Sequence, residues 1–256
     1  MPKQLPNSIK ILFIGNSFTQ RNNLPGLLAE LAAAQGLRLT TELISAGGAS
    51  LRTHWNAGRA AAAIAEGGYD YVVLQEQSTL PIKNALRMAE NVRLFDQVIK
   101  RAGSQTVLYM TWARQHSPQT QELITSAYQS LGKELGAIVV PVGLAWQRFL
   151  AKHSTPVLYD VDQSHPTLAG TYLAACVFFA VLFQISPVGL GTGTERLEAE
   201  ESKLLQRTAR EAARAAGQIA HRKKKNDPNG TRTRVTAVKG RCPRPLDDGA
   251  NAGESF

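Results

Sequence analysis

The sequence predicts an α/β fold in which a mostly parallel, five-stranded sheet is covered by helices on both faces. Five short apolar runs, rich in β-branched residues, alternate along the chain with segments of helical spacing. Strands and helices that alternate in this way form a parallel sheet, because each connection has to cross a face of the sheet. With 256 residues, 43% of them hydrophobic, the chain is long enough for one such three-layer domain.

Each predicted strand is a short apolar run that ends at a polar residue or a glycine. The first run, 11–14, is wholly apolar and ends at Gly15, which is typical of a strand buried on both faces of the sheet. The predicted strands span residues 11–14, 39–44, 69–74, 106–110 and 137–140.

The segments between the strands have helical spacing, and several have residues that start or stop helices. Gly36 is placed to end the first helix, and Pro118 and Pro166 are each placed at a first helical turn. An alanine-rich stretch up to Glu66 and a long Ala, Glu, Arg and Lys segment at the end of the domain are also typical of helices. The predicted helices span residues 24–35, 52–66, 84–102, 118–135, 143–152, 166–183 and 195–221.

The chain is predicted to divide into a folded domain, 1–221, and a basic tail, 222–256. The net charge is +9, and the tail accounts for +5 of it, with nine basic and four acidic residues. The tail is too polar to bury a core, which predicts disorder. A nucleic-acid or membrane-surface arm is an alternative, as is a reading frame that extends past the natural end of the domain, but a solvated tail is favoured.

No apolar run is long enough to span a membrane, and the longest, 168–185, fits a buried helix better. Residues 1–10 are polar and the apolar run after them is too short for the core of a signal peptide. We therefore expect a soluble, cytoplasmic protein with no membrane partner. Cys176, in an apolar helix, and Cys242, in the tail, are expected to be free thiols.

Residues with useful chemistry follow the predicted strands, and the carboxyl ends of parallel strands meet at one edge of the sheet, where such folds bind ligands. They include a hydroxyl, glycines that can expose backbone N–H groups, carboxamides, carboxylates and an imidazole. Acyl transfer needs such a set: a nucleophile, an oriented base and donors for an oxyanion. The candidates at this edge are Asn16, Ser17, Gly47, Gly48, Gln75, Gln77, Thr111, Trp112, Arg114, Asp160, Asp162 and His165.

Four of these segments, in this order, resemble the conserved blocks of the SGNH (GDSL-type) hydrolases. They are Gly15-Asn-Ser-Phe-Thr19, a glycine after the second strand, a carboxamide after the third, and Asp162-x-x-His165. The resemblance is greatest to a branch with Gly-Asn-Ser and Gln-Glu-Gln-Ser in place of the usual blocks, and it extends from residue 9 to about 184. It implies a three-layer α/β/α sandwich, of the SGNH or flavodoxin-like type.

The resemblance also implies a role for each matching residue. Ser17 would be the nucleophile and donate its backbone N–H to the oxyanion. Gly47, or its neighbour Gly48, would donate a second backbone N–H, and the Gln77 side chain would replace the usual asparagine donor. Asp162 would orient His165, the base, because a spacing of three lets one tight loop hold both.

Two positions depart from the family pattern. Asn16 replaces the usual aspartate before the serine, and Gln75-Glu76-Gln77-Ser78 replaces Gly-x-Asn-Asp, so that the oxyanion donor has one additional methylene.

Other interpretations of the same residues stay open. Ser17 could cap a helix, the two glycines could simply form a tight turn, and Gln75 and Gln77 could tie down the following loop. Asp160 ranks second to Asp162 as the orienting acid.

The pocket assignments are open in the same way. We assign Asn16, Gly48, Gln75, Trp112 and Arg114 to a substrate pocket, although an aromatic residue at a strand end is more often a packing residue.

The sequence has no Gly-x-Ser-x-Gly elbow, no phosphate- or dinucleotide-binding glycine loop and no zinc spacing, so we expect no cofactor and no metal. The function predicted from these observations is ester hydrolysis by a Ser17, His165 and Asp162 triad, with an O-acetyl carbohydrate or another small ester as substrate. Two alternatives remain: a catalytically weak carbohydrate-binding protein on the same fold, and a nucleic-acid-associated protein that uses the basic tail.

Overall fold

The computed structural model of the chain describes residues 8–191 and 197–217 and contains a five-stranded, fully parallel sheet in the order β2-β1-β3-β4-β5. The five predicted strands are confirmed, with ends that shift by one or two residues. The predicted tail, 222–256, lies outside the described residues. The strands are β1 (Ile9–Gly15), β2 (Leu39–Ser45), β3 (Tyr71–Leu74), β4 (Gln105–Tyr109) and β5 (Ile138–Val140).

Ten α-helices lie in the described part of the chain. In chain order these are α1 (Ser17–Gln20), α2 (Leu24–Ala34), α3 (Leu51–Ala57), α4 (Arg59–Glu66), α5 (Leu80–Lys83), α6 (Ala85–Arg101), α7 (Gln121–Leu135), α8 (Val142–Leu150), α9 (Leu168–Phe183) and α10 (Ala199–Ala215). Short 3-10 turns at Arg21–Asn23 and Pro118–Thr120 precede α2 and α7. No helix among these is long and apolar enough to cross a membrane.

The sheet separates two hydrophobic cores, which gives the predicted α/β/α sandwich. Along β1, Ile11 and Phe13 point to the core formed by α2, α8, α9 and α10, and Leu12 and Ile14 point to the core formed by α3, α4, α6 and α7. The strand alternates between faces as any strand does, but both faces are apolar because both are covered.

Several predicted helices begin, end or divide differently in the structure; for example, α7 begins at Gln121 and α10 ends at Ala215. The alanine-rich helix is two helices, because Gly58 adopts a left-handed conformation with φ +76° and ends α3. The helix predicted from Pro166 begins instead at Leu168, where the Thr167 hydroxyl accepts the Gly170 N–H. The sequence prediction also missed α1, a single turn that positions Ser17.

Candidate active site

Ser17 lies in a tight turn between β1 and α1. Asn16 precedes it in extended conformation, and its side-chain oxygen caps α1 by accepting the Phe18 N–H at 3.1 Å. The turn is close-packed, because a Cβ at Gly15 would lie 2.6 Å from Gln75 Oε1 and 2.7 Å from Thr19 Oγ1. Gly15 is therefore required because the Gln75 and Thr19 side chains approach its backbone too closely for a Cβ. The Ser17 side chain lies at the carboxyl edge of the sheet, where it contacts His165.

Ser17, His165 and Asp162 form a continuous hydrogen-bonded chain. Ser17 Oγ lies 2.8 Å from His165 Nε2, and the other ring nitrogen, Nδ1, bonds the Asp162 carboxylate. The loop itself fixes that carboxylate: Oδ1 accepts the backbone N–H groups of Ser164, at 3.0 Å, and of His165, at 2.8 Å. A loop of this form holds the imidazole with Nε2 facing the serine.

These contacts stabilise the ionised form of Asp162. Partial burial alone would raise its pKa, but the hydrogen bonds from the His165 ring and from the two backbone N–H groups outweigh it. The pKa falls from the ordinary 3.8 to about 2, so the carboxylate is charged throughout the neutral range.

Asp160 has a different partner. Its Oδ2 lies 2.5 Å from Arg21 Nη1, on the segment that follows α1. The Asp160 carboxylate therefore joins the loop of His165 to the segment of Ser17, and Asp162 is the acid that contacts the imidazole.

Backbone N–H groups without acceptors lie on two of the segments that the sequence singled out. In the described part of the chain, neither the Ser17 N–H nor the Gly47 N–H has a hydrogen-bond acceptor, and Gly47 and Gly48 are exposed. Gly48 has φ +65°, which explains its presence by the turn. Gly47 needs no such φ and a Cβ there would meet nothing within 4 Å, so the turn does not explain this glycine.

The Gln77 side chain is oriented by the turn that follows β3. Its Oε1 accepts the Thr79 N–H and the Thr79 hydroxyl, both at 2.9 Å. A backbone N–H can only donate, so the oxygen must face Thr79 and the Gln77 amide nitrogen must face away from it. Within residues 8–191 and 197–217 that nitrogen has no acceptor, so it can donate to a ligand.

Asn16 and Gln75 are buried beneath the Ser17 turn. Gln75 is 0% exposed; its Oε1 accepts the Asn16 N–H at 2.8 Å and the Thr19 hydroxyl at 3.0 Å, and its amide nitrogen donates to Glu76 O. The Asn16 amide nitrogen donates to Ala49 O at 3.0 Å. Both residues support the turn from below, and their assignment to a substrate pocket stays a prediction.

Trp112 and Arg114 follow β4 and differ in burial. Trp112 is 2% exposed, stacks on Trp146 with ring centroids 3.9 Å apart, and donates its indole N–H to Ser164 O at 3.0 Å. It is a packing residue that supports the loop of His165. Arg114 is half-buried, and its Nε has no hydrogen-bond partner in the described structure.

Trp112 also borders a cavity of about 230 Å³. Its walls include Trp146, Tyr159 and the exposed Leu150. Gln121 and Gln147 also line it, so the lining combines aromatic rings with two carboxamides.

Asn22 is a further site residue, which the sequence analysis missed. Its backbone is left-handed with φ 53°, and its amide nitrogen donates to Pro166 O at 3.1 Å and to the Thr171 hydroxyl at 2.9 Å. It therefore joins the Ser17 segment to the residue after His165. The signal in the sequence is the Asn-Asn pair, since asparagine is the side-chain-bearing residue best suited to this conformation.

No three His, Cys, Asp or Glu side chains in the described ranges are grouped closely enough to hold a metal ion. The arrangement at the sheet edge consists of a hydroxyl, an oriented imidazole, a charged acid and exposed N–H donors. Those are the groups that acyl transfer requires.

Comparison with known proteins gives matches at the level of structure. No protein-family model and no curated protein matches the chain. A DUF4886 family protein from Bacteroides uniformis has 22% identity and a TM-score of 0.69, over 84% of this chain and 98% of the other. A protein from Slackia heliotrinireducens described as an SGNH hydrolase has 29% identity and a TM-score of 0.59, over 68% and 98%.

The solved structures that match also include Axe2, an acetylxylan esterase from Geobacillus stearothermophilus. It has 15% identity and a TM-score of 0.57, over 75% of this chain and 100% of the esterase. The five-stranded parallel sheet with helices on both faces agrees with these likenesses. The chain therefore has the fold of the SGNH hydrolases, and its predicted resemblance to that superfamily is confirmed.

Proposed function

We propose that this protein is a serine hydrolase that cleaves esters, and that its substrates are O-acetylated carbohydrates or similar small esters. The observation on which this rests is the hydrogen-bonded chain from Ser17 through His165 to Asp162. The N–H groups of Ser17 and Gly47, which follow neighbouring strands and have no acceptor among the described residues, support it. The likeness to an acetylxylan esterase supports the choice of substrate class.

In the proposed first step, His165 Nε2 takes the proton of Ser17 Oγ as that oxygen attacks the acyl carbon. The carbonyl oxygen becomes an oxyanion, which the N–H groups of Ser17 and Gly47 and the amide of Gln77 stabilise. His165 then gives its proton to the departing alcohol, which leaves an acyl group on Ser17.

In the second step, a water molecule loses a proton to the same nitrogen and attacks the acyl carbon. The carboxylic acid leaves, the proton returns to Ser17 Oγ, and the enzyme is restored. Asp162 stays ionised and stabilises the charged imidazole in both steps.

The test is labelling by a fluorophosphonate probe, which reacts with an activated serine far faster than with an ordinary one. We expect the wild type to be labelled, Ser17→Ala to be unlabelled and His165→Ala to be labelled at least 100-fold more slowly, because the base is lost. His153→Ala is the matched control, since that histidine contacts Phe149 and takes no part in the hydrogen bonds that link Ser17, His165 and Asp162. It should be labelled at the wild-type rate.

Acetate release from acetylated xylo-oligosaccharides then tests the substrate class. Labelling without acetate release would support the assignment as a serine hydrolase but exclude acetylated xylo-oligosaccharides as its substrates. A folded wild type that is not labelled would contradict the proposal, and sugar binding by that protein would favour the carbohydrate-binding alternative.

A further inference from the structure

We propose that Glu76 is a positioning residue, whose buried carboxylate holds in register the two loops that present the oxyanion donors Gly47 and Gln77. The inference rests on the proposed function, because it concerns the geometry of that oxyanion site. Glu76 lies between Gln75 and Gln77, but the Ser17, His165 and Asp162 mechanism gives it no role. It is 1% exposed, and a buried carboxylate needs hydrogen-bond donors to offset the loss of water.

One oxygen of Glu76 serves both loops. Oε1 accepts the Leu51 N–H at 2.9 Å and the Gln77 N–H at 2.7 Å. Leu51 is the first residue of α3 and ends the loop that contains Gly47, whereas Gln77 is the carboxamide donor itself. A single atom thus fixes the distance between the backbones of the two loops.

The Gly47 loop is held at a second point by Asn16, whose amide nitrogen donates to Ala49 O. Asn16 stands where the family pattern has an aspartate, and Glu76 stands at the variable position of the block that Gln75-Glu76-Gln77-Ser78 replaces. Each of them binds the same short loop, one at Ala49 and the other at Leu51. Asn16 and Glu76 therefore fix the same loop from two neighbouring strand ends.

The remaining oxygen of Glu76 sets a requirement for charge. Oε2 accepts Asn91 Nδ2 at 2.9 Å, and Asn91 Oδ1 accepts Arg52 Nε at 3.0 Å. A guanidinium can only donate, so Asn91 must direct its oxygen to Arg52 and its NH₂ to Glu76. Residue 76 must therefore accept at both oxygens, which a carboxylate can do and a carboxamide cannot.

This directionality gives a sharp test. Glu76→Gln keeps the shape but places an NH₂ group against the Asn91 NH₂ group. Adding Asn91→Asp removes the conflict, because the new carboxylate accepts hydrogen bonds both from the amide at position 76 and from Arg52. The summed charge of positions 76 and 91 is the same in the double variant as in the wild type. The matched control is Asp96→Asn, which alters a different buried carboxylate, on α6, that binds Thr106 and Lys100 instead of the two loops.

The measurements are the second-order rate of fluorophosphonate labelling, and kcat and KM for p-nitrophenyl acetate. We expect Glu76→Gln to lower the labelling rate and kcat about 10- to 100-fold, below the full loss of an oxyanion donor, with KM changed less than threefold. The double variant should return to within about threefold of the wild type. Asp96→Asn should lose stability but keep kcat.

Hydrogen exchange at the Leu51 and Gln77 amides reports whether Glu76 still binds both loops, and it does not depend on enzyme activity. The exchange should be faster in the Glu76→Gln single variant than in the wild type and in the double variant. Wild-type labelling and kcat in a folded Glu76→Gln variant would overturn the inference, as would a loss that the folded double variant does not restore. An unlabelled wild type would instead reject the proposed function, and the positioning role with it.

Discussion

At the scale of single residues, the two aspartates of one short loop have different tasks. Asp162 bonds the His165 ring and Asp160 pairs with Arg21, although only Val161 separates them. The spacing of three residues to His165 favours Asp162 in the sequence, and that geometry is present in the structure. The pairing of Asp160 with Arg21 spans 139 residues and has no local signal, so the sequence could not exclude it as the acid.

Replacement of each aspartate by asparagine should separate their roles. We expect Asp162→Asn to lower kcat by about 10⁴, the loss seen when a triad aspartate becomes an amide and the histidine takes the wrong tautomer. Asp160→Asn should lower kcat less than tenfold, because an exposed ion pair contributes little. Equal losses in kcat for p-nitrophenyl acetate would contradict the division of roles.

Asp162 should also affect stability in acid. Its pKa in the folded protein, about 2, lies below the ordinary 3.8, so this group stabilises the fold above pH 4. That contribution is lost as the pH falls from about 4 to 2. Urea midpoints measured across this range should fall more steeply for the wild type than for Asp162→Asn, and parallel curves would show that the carboxylate has no such effect.

At the scale of elements, the site depends on how each strand ends. The Ser17 turn, the Gly47 loop and the Gln77 turn follow neighbouring strands, and buried amides and one buried carboxylate connect them. Strands and candidate residues were predictable because apolar runs and their boundaries are local features. The connecting network was not, because Asn16, Gln75 and Glu76 have partners up to 59 residues away.

The adjacent glycines of the second loop offer a matched pair of substitutions. Gly48→Ala should cost about 1–2 kcal/mol of unfolding free energy, because a Cβ is strained at φ +65°. Gly47→Ala should leave stability within about 0.5 kcal/mol, since nothing lies within 4 Å of the new Cβ. Urea denaturation measures both, and a large loss for Gly47→Ala would show that the turn requires both glycines.

At the scale of the whole molecule, α9 is almost entirely buried between the sheet and α10. Gln206 of α10 is 1% exposed and bonds three partners: the Tyr172 hydroxyl at 2.8 Å, the Gly189 N–H at 2.9 Å and Leu190 O at 2.9 Å. It therefore fastens the last described helix to α9. The apolar sequence of α9 predicts its burial, but its packing against α10 joins distant segments and has no local signal in the sequence.

Gln206→Ala should lower the free energy of unfolding by about 1–3 kcal/mol, because three polar groups lose their partner inside the protein. Gln129→Ala on the exposed face of α7 is the control and should change stability by less than about 0.5 kcal/mol. Equal urea midpoints for the two variants would show that water replaces Gln206 without cost.

Ser17 and His165 are 148 residues apart, on the first turn after β1 and on the last loop before α9. Under the proposed mechanism, a growing chain on the ribosome would carry an inert serine until all five strands and the loop of His165 had been made. The proposed acylation of Ser17 would therefore wait for the folding of the complete sheet. For the same reason, the rate at which fluorophosphonate labelling returns during refolding would report how fast the whole domain folds.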